Sequence, residues 1–285
     1  MTTAFASSSN APLLSLQPDE VLVHVMAVAI NPCDYKMHER FPCPGAVDGC
    51  DFAGVIVALG SDVTKWSIGD TSLRGRPRLK SSPARVRRLC RLHTVRIRVH
   101  TQDPRPICRF EEAAALGGTG LATLGMALFK ELALPGTLEE PATKPRTVLV
   151  HGGSSSVGTM AMQLVRLASP SVLRLWAVPV AAMPAWRCTQ TTSSSANPSR
   201  WGFIMGPSLL GHRLALSYGY ERDEDPEMRA FGVQWYRSVQ KMLDQGKLRP
   251  HPLRILATAL KRVLEGVDML KRKAVSGEKL VVALG

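Results

Sequence analysis

The run His151-Gly152-Gly153-Ser154-Ser155-Ser156-Val157-Gly158 stands between an apolar triplet, Val148-Leu149-Val150, and a stretch of helical periodicity from Met160 to Leu167. That order reads as strand, tight turn, helix. Such a turn aims backbone N–H groups and the positive end of a helix dipole at one point, and its small residues let an anion approach the backbone closely. The chemistry on offer is the seating of a pyrophosphate, as in a dinucleotide. The G-x-G-x-x-G pattern is absent, and a glycine- and serine-rich turn is often only a turn, so its surroundings decide.

Those surroundings are globular. The chain has 285 residues, 45% of them apolar, enough for one large or two modest domains with a sizeable core. Residues 1–10 are Ala- and Ser-rich and read as disordered. Residues 20–30 and 52–60 read as strands, the second closed by Gly60-Ser61-Asp62, and together they mark a small β-rich unit. Residues 111–132 have helical composition. The clearest helix starts at Asp225, a cap, and Pro226, suited to the first position, and ends at Gly246; it places Phe231, Trp235, Val239 and Met242 on one core-facing side. A helical run over 255–270 precedes a closing strand over 279–284.

Six cysteines form no C-x-x-C pair, the N-terminal residues lack a charged n-region followed by an apolar h-region, and no apolar run is read as long enough to span a membrane, so a reducing, cytoplasmic setting is expected. The net charge of +13 is concentrated: residues 71–110 hold eleven arginines and one lysine against Asp103, and residues 141–220 hold seven basic residues and no carboxylate. The basic runs are broken by Pro and Gly and carry no aromatic side chains for base stacking, so nucleic acid is not expected as a partner.

Five segments then carry a resemblance. Val28-Ala-Ile-Asn-Pro-Cys-Asp-Tyr-Lys-Met37, Gly49-Cys-Asp-Phe-Ala-Gly-Val-Ile-Val-Ala-Leu-Gly60, Val63 through Gly69-Asp70, the 151–158 turn and Val275-Ser-Gly-Glu-Lys-Leu-Val-Val282 resemble the medium-chain dehydrogenase/reductase superfamily. Residues 201–207, 229–236 and 248–252 narrow the resemblance to fungal trans-acting enoyl reductases of polyketide biosynthesis. The resemblance implies an α/β fold: a GroES-like β domain over 1–125 and 250–285, and a Rossmann cofactor-binding domain over 126–249, shortened after residue 168. It implies hydride transfer from NADPH to an α,β-unsaturated polyketide thioester on a carrier protein. The partner would be a polyketide synthase or hybrid polyketide/peptide synthetase acting in trans, the enzyme itself a monomer. A quinone- or alcohol-type reductase of the same superfamily is the alternative, as is a truncated member that binds no cofactor.

By the same resemblance Lys36 and Thr123 are the catalytic candidates. Cys33, Asp34, Tyr35, Lys36, Ser154, Ser155, Ser156, Val157, Val275 and Ser276 would hold the cofactor. Leu121, Ala122, Thr123, Ser208, Leu209, Leu210, Gly211 and His212 would line the substrate side. No metal is expected: Asn31 and Cys50 stand where zinc-dependent relatives place ligands, and Cys50 reads as a small buried residue. NADPH is preferred over NADH because the acid-free stretch 141–220 lacks the carboxylate that would take a ribose 2′-hydroxyl. Residues 71–110 and 168–200 read as stretches translated out of frame or across a misjudged intron, their Arg, Pro, Ala and Ser standing in place of acids and aromatics.

Overall fold

The computed structural model describes residues 16–42, 49–75, 95–96, 109–143, 146–169, 173–178 and 204–284. Most of the two compositionally odd stretches, Trp201 to Phe203 and four of the cysteines lie outside these residues, and so does the run 1–10.

A six-stranded sheet has the order β4-β3-β2-β1-β8-β7. Its members are β1 (Val21–Ala29), β2 (Asp51–Leu59), β3 (Thr71–Gly75), β4 (Val95–Arg96), β7 (Leu253–Leu256) and β8 (Lys279–Ala283). Neighbours run antiparallel except β7 and β8, which are parallel. The strands expected over 20–30 and 52–60 are thus β1 and β2. The closing strand is internal: β8 pairs with β1 through Val28↔Val282 on one side and with β7 through Ile255↔Val281 on the other. Leu280, Val281 and Val282 are all at most 1% exposed, which is why the sequence there is continuously apolar rather than alternating.

The helical run expected over 255–270 begins later. Leu253–Leu256 is strand β7, and α6 covers Lys261–Lys271. Local composition favoured helix, but pairing with β8 satisfies this backbone first. Helix α1 (Pro32–Arg40) was not foreseen, though its signal is present: Asn31 is the N-cap, Pro32 the first residue, and the Asp34 carboxylate closes a capping box by accepting the Asn31 N–H at 2.8 Å.

The expected helix over 111–132 divides into α2 (Phe110–Leu116) and α3 (Gly118–Gly125), the latter continuing as a π-helical turn over Met126–Glu131. The break is Gly117, at φ +61°, where a Cβ would lie 2.4 Å from the Asp51 carboxylate. By length and composition Phe110–Glu131 is apolar enough to cross a membrane, contrary to the sequence expectation, but 67% of its window is buried inside the protein. Ala113, Ala114, Ala115 and Leu116 pack beneath the sheet against Ala27, Ala53 and Val281 in one core.

Between β4 and β7 the chain forms β5 (Arg146–His151), α4 (Ser156–Ala168) and β6 (Leu173–Val178), with β5 and β6 parallel. Parallel neighbours need a crossover, which α4 supplies. Helix α5 (Pro226–Asp244) starts as expected, the Asp225 carboxylate accepting the Met228 N–H at 2.8 Å, and buries Trp235, Val239 and Met242.

Two side chains dock the segment before β7 onto α4. Gln163 exchanges hydrogen bonds with the backbone of Arg249, at 3.0 and 2.9 Å. Buried His251 meets the Thr159 hydroxyl through Nδ1 at 3.0 Å. Because that hydroxyl donates to the Ser156 carbonyl, Nδ1–H is the donor to Thr159. Burial, aided by Lys279 and opposed by Glu278, pushes the imidazole below its ordinary 6.5. The neutral form therefore stabilises the fold fully above pH 6.5, and this contribution is lost as pH falls through the lowered folded value. Urea midpoints at about pH 7.5 and about pH 5 should separate for the native chain and converge for His251→Gln. An unchanged gap would remove His251 from this role.

Candidate functional site

A cavity of about 210 Å³ opens where α1, α3, α5 and the 3₁₀ turn Gly206–Leu210 converge. Cys33 and Met37 come from α1, Cys50 from the residue before β2, and Gly118, Thr119, Ala122 and Thr123 from α3. Ile204, Met205, Gly206, Pro207, Leu209 and Leu210 form the opposite wall, and Tyr236 of α5 completes it. The lining is largely apolar, and its hydroxyls are directed inward to backbone: Thr123 Oγ1 donates to the Thr119 carbonyl at 2.9 Å, and Tyr236 Oη to the Gly118 carbonyl at 3.2 Å. A pocket of this kind can hold an apolar group.

Beneath the cavity a buried polar network joins four elements. The Asp51 carboxylate accepts the Thr119 N–H at 3.0 Å, so a residue of β2 caps α3, and accepts Asn31 Nδ2 at 2.8 Å. Lys279 Nζ lies 3.8 Å from Asp51 and also donates to Asn31 Oδ1. The side chains of Asp51 and Lys279 are 1% and 8% exposed. Charges so placed are tolerated because each is paired and hydrogen-bonded. The site's walls are thereby held in register by one carboxylate.

Cys33, Asp34 and Cys50 offer donor atoms within 4.8 Å of one another. The fold thus assembles a three-donor group that the sequence comparison with zinc ligands did not anticipate. Its chemistry suits a catalytic zinc poorly. Asp34 is occupied as the cap of α1. The Cys50 thiol is held well above its ordinary range by its hydrogen bond with Cys33, by burial and by the charge of Asp34.

The second feature is the turn between β5 and α4. Gly152 has φ +80°, and a Cβ on Gly158 would lie 2.2 Å from the Gly152 carbonyl oxygen, so turn and helix approach as only glycines permit. Ser155 is the N-cap: its Oγ accepts the Gly158 N–H at 3.1 Å and donates to the Gly152 carbonyl at 2.7 Å. The amides of Ser156 and Val157, in the first turn of α4, have no intrahelical acceptor. Ser154, Ser155 and Val157 are exposed. This cradle fits an anionic group such as a pyrophosphate.

Among the residues singled out from sequence, the cavity brings together Cys33, Ala122, Thr123, Leu209 and Leu210. Lys36 is exposed on α1, its Nζ 6.0 Å from the Tyr35 ring centroid, and Asp34 is buried beneath it. Leu121 is fully buried in the core, where its carbonyl accepts Trp235 Nε1 at 3.0 Å. Ser208 faces a separate acidic hollow with Glu131, Asp223 and Asp225. His212 Nε2 lies 3.3 Å from Arg229, and Gly211 ends the 3₁₀ turn in a left-handed conformation. Val275 packs against the β8 cluster and Ser276 is exposed. Sequence reading missed Met37, Thr119 and Tyr236 as wall residues and Asp51 as their anchor. The i, i+4 spacing of Thr119 and Thr123 on one helix face was the available signal for the first threonine.

A β unit that joins both ends of the chain, a parallel βα unit carrying an anion cradle between them, and an apolar cavity beside α3 define a dehydrogenase/reductase of the GroES-like class. The alcohol dehydrogenase GroES-like domain family matches residues 17–81. Two solved structures share the fold: an alcohol dehydrogenase superfamily protein from Novosphingobium aromaticivorans, with TM-score 0.62 at 17% identity over 98% of this chain and 95% of that one, and the CurK enoyl reductase, with TM-score 0.52 at 18% identity over 96% and 93%. In sequence the chain is 48% identical to the trans-enoyl reductase pyiC of Pyricularia grisea, covering 96% of this chain and 89% of that protein. It is 47% identical to the trans-enoyl reductase ccsC of Aspergillus clavatus, covering 97% and 92%. The chain belongs to the trans-enoyl reductase family, and so to the oxidoreductases of the medium-chain dehydrogenase/reductase superfamily. The alignment with pyiC runs over 336 positions while 96% of this 285-residue chain fills about 274 of them, so about sixty positions of that relative have no counterpart here.

Proposed function

We propose that this protein is a trans-acting enoyl reductase that uses NADPH to reduce an α,β-unsaturated acyl thioester presented by the carrier protein of a polyketide synthase or hybrid polyketide/peptide synthetase. The observation that carries the reading is the glycine-tight cradle at the N-terminus of α4, built to accept a pyrophosphate. Family membership supports it, and so does the largely apolar cavity walled by Cys33, Thr123 and Leu209.

NADPH, when bound, supplies the hydride for the C=C bond. Ser154, Ser155, Ser156 and Val157 would hold its pyrophosphate by backbone amides, with Cys33, Asp34, Tyr35, Lys36, Val275 and Ser276 toward its other parts. The absence of any carboxylate over 141–220 favours the 2′-phosphate. Ala122, Thr123, Leu209 and Leu210 would orient the acyl chain, and the remaining segment residues Leu121, Ser208, Gly211 and His212 would shape the wall from behind. Lys36, a cation of α1 alongside Arg40, is assigned to the negative charge that develops on the thioester oxygen.

The test is NADPH consumption with a crotonyl pantetheine thioester. Turnover is expected, and Lys36→Ala should lower it by about a hundredfold. Folded protein that shows no NADPH binding at millimolar concentration would overturn the assignment. A second reading, a family member that no longer binds cofactor, is favoured by one observation: among the described residues the parallel sheet has two strands, β5 and β6.

A further inference from the structure

We propose that Cys33 and Cys50 form a dithiol that hydrogen peroxide oxidises to a disulfide in the wall of the apolar cavity. The two residues are seventeen apart in sequence, on α1 and at the start of β2, yet their sulfurs lie 3.7 Å apart. Closing to a bond of about 2.05 Å asks for sulfur displacements of roughly 1.6 Å in sum, within reach of side-chain rotation.

The backbone on both sides is pinned. Asn31, two residues before Cys33, donates to the carboxylate of Asp51, one residue after Cys50, at 2.8 Å. That bond holds the two sulfur-bearing segments side by side, so each thiol meets the other far more often than a thiol in solution. Cys33 is half-buried and lines the cavity, through which a molecule as small as peroxide reaches it. Cys50 is 8% exposed and is the resolving thiol.

The chemistry balances in two displacements. Cys33 Sγ attacks one peroxide oxygen, the O–O bond breaks, and the thiol proton leaves with the departing oxygen as water, giving a sulfenic acid. Cys50 Sγ then attacks the Cys33 sulfur, the S–O bond breaks, and the hydroxyl leaves with the Cys50 proton as a second water. Two electrons pass from the sulfur pair to the peroxide.

The full-length protein is treated with hydrogen peroxide, alkylated after unfolding, and cleaved on the N-terminal side of aspartates. Such cleavage separates Cys33, in the peptide 19–33, from Cys50, in 48–50, and both from Cys43. The expected product is the peptide pair 19–33 and 48–50 joined with the loss of two hydrogens, and released by dithiothreitol. With Cys33→Ser, Cys50 should stay fully alkylatable after the same treatment. Three results would overturn the proposal: Cys33 carried on to sulfinic acid while Cys50 remains free, Cys33 joined to another cysteine, or an equivalent of zinc in the purified protein that shields both thiols until chelated.

Discussion

Gly158→Ala is expected to weaken NADPH binding and to lower the stability of the fold together. The added Cβ would stand 2.2 Å from the Gly152 carbonyl oxygen and 2.8 Å from the Gly153 Cα, both backbone atoms that no side-chain rotation can move aside. The helix must back away from the turn. Overpacking of this kind costs about 2–3 kcal/mol, which alanine's better helix propensity offsets by at most about 1 kcal/mol. In a domain of this size that lowers Tm by several degrees, and the displaced amides of Ser156 and Val157 should weaken cofactor affinity by at least about tenfold. Thermal unfolding and NADPH fluorescence titration read the two effects separately. Ser155→Ala is the graded comparison, since it adds no bulk and removes the cap bond to the Gly158 N–H together with the bond to the Gly152 carbonyl, and it should cost about 1 kcal/mol. A stable Gly158→Ala protein with native NADPH affinity would show that the cradle is only a turn.

Lys279→Met should be among the most destabilising single changes that leave the apolar core intact. It strips the ammonium from a buried carboxylate and leaves Asp51 with two neutral donors, the Thr119 N–H and Asn31 Nδ2. Breaking one side of a buried pair costs about 3–5 kcal/mol, most of it the uncompensated charge left behind. Pairing it with Asp51→Asn removes that charge, so the double variant should recover stability relative to Lys279→Met alone. Equilibrium urea unfolding of the four proteins in the cycle gives the coupling energy. Additive losses in the cycle would mean that Lys279 and Asp51 are not coupled. Because Asp51 also caps α3, substrate-side geometry should respond: KM for the thioester should rise in Lys279→Met more than in the double variant.

These two expectations draw on different sources. The cradle could be read from residues 148–158, because strand, turn and helix are local and their determinants, an apolar run, small residues and a cap, are contiguous. The same holds for β1, β2 and α5, whose periodicity or capping residues sit within the element itself. Where pairing decided, local reading failed. Ile255 and Leu256 of β7 were absorbed into a helix because their strand character comes from β8, and the helix over 111–132 was read as continuous because the carboxylate that fills the space beside Gly117 lies 66 positions earlier.

The chain's own letters carried its superfamily, the glycine- and serine-rich turn proposed to seat a pyrophosphate, and the absence of acids on which the proposed preference for a 2′-phosphate rests. These are properties of short contiguous segments and of composition. Which residues face one another was settled by packing: Cys33 against Cys50, Tyr236 across from Thr123, Asp51 beneath Thr119 and Lys279, and β8 threaded between β1 and β7. Each of these joins positions far apart along the backbone, and a distance across the fold leaves no trace in local periodicity.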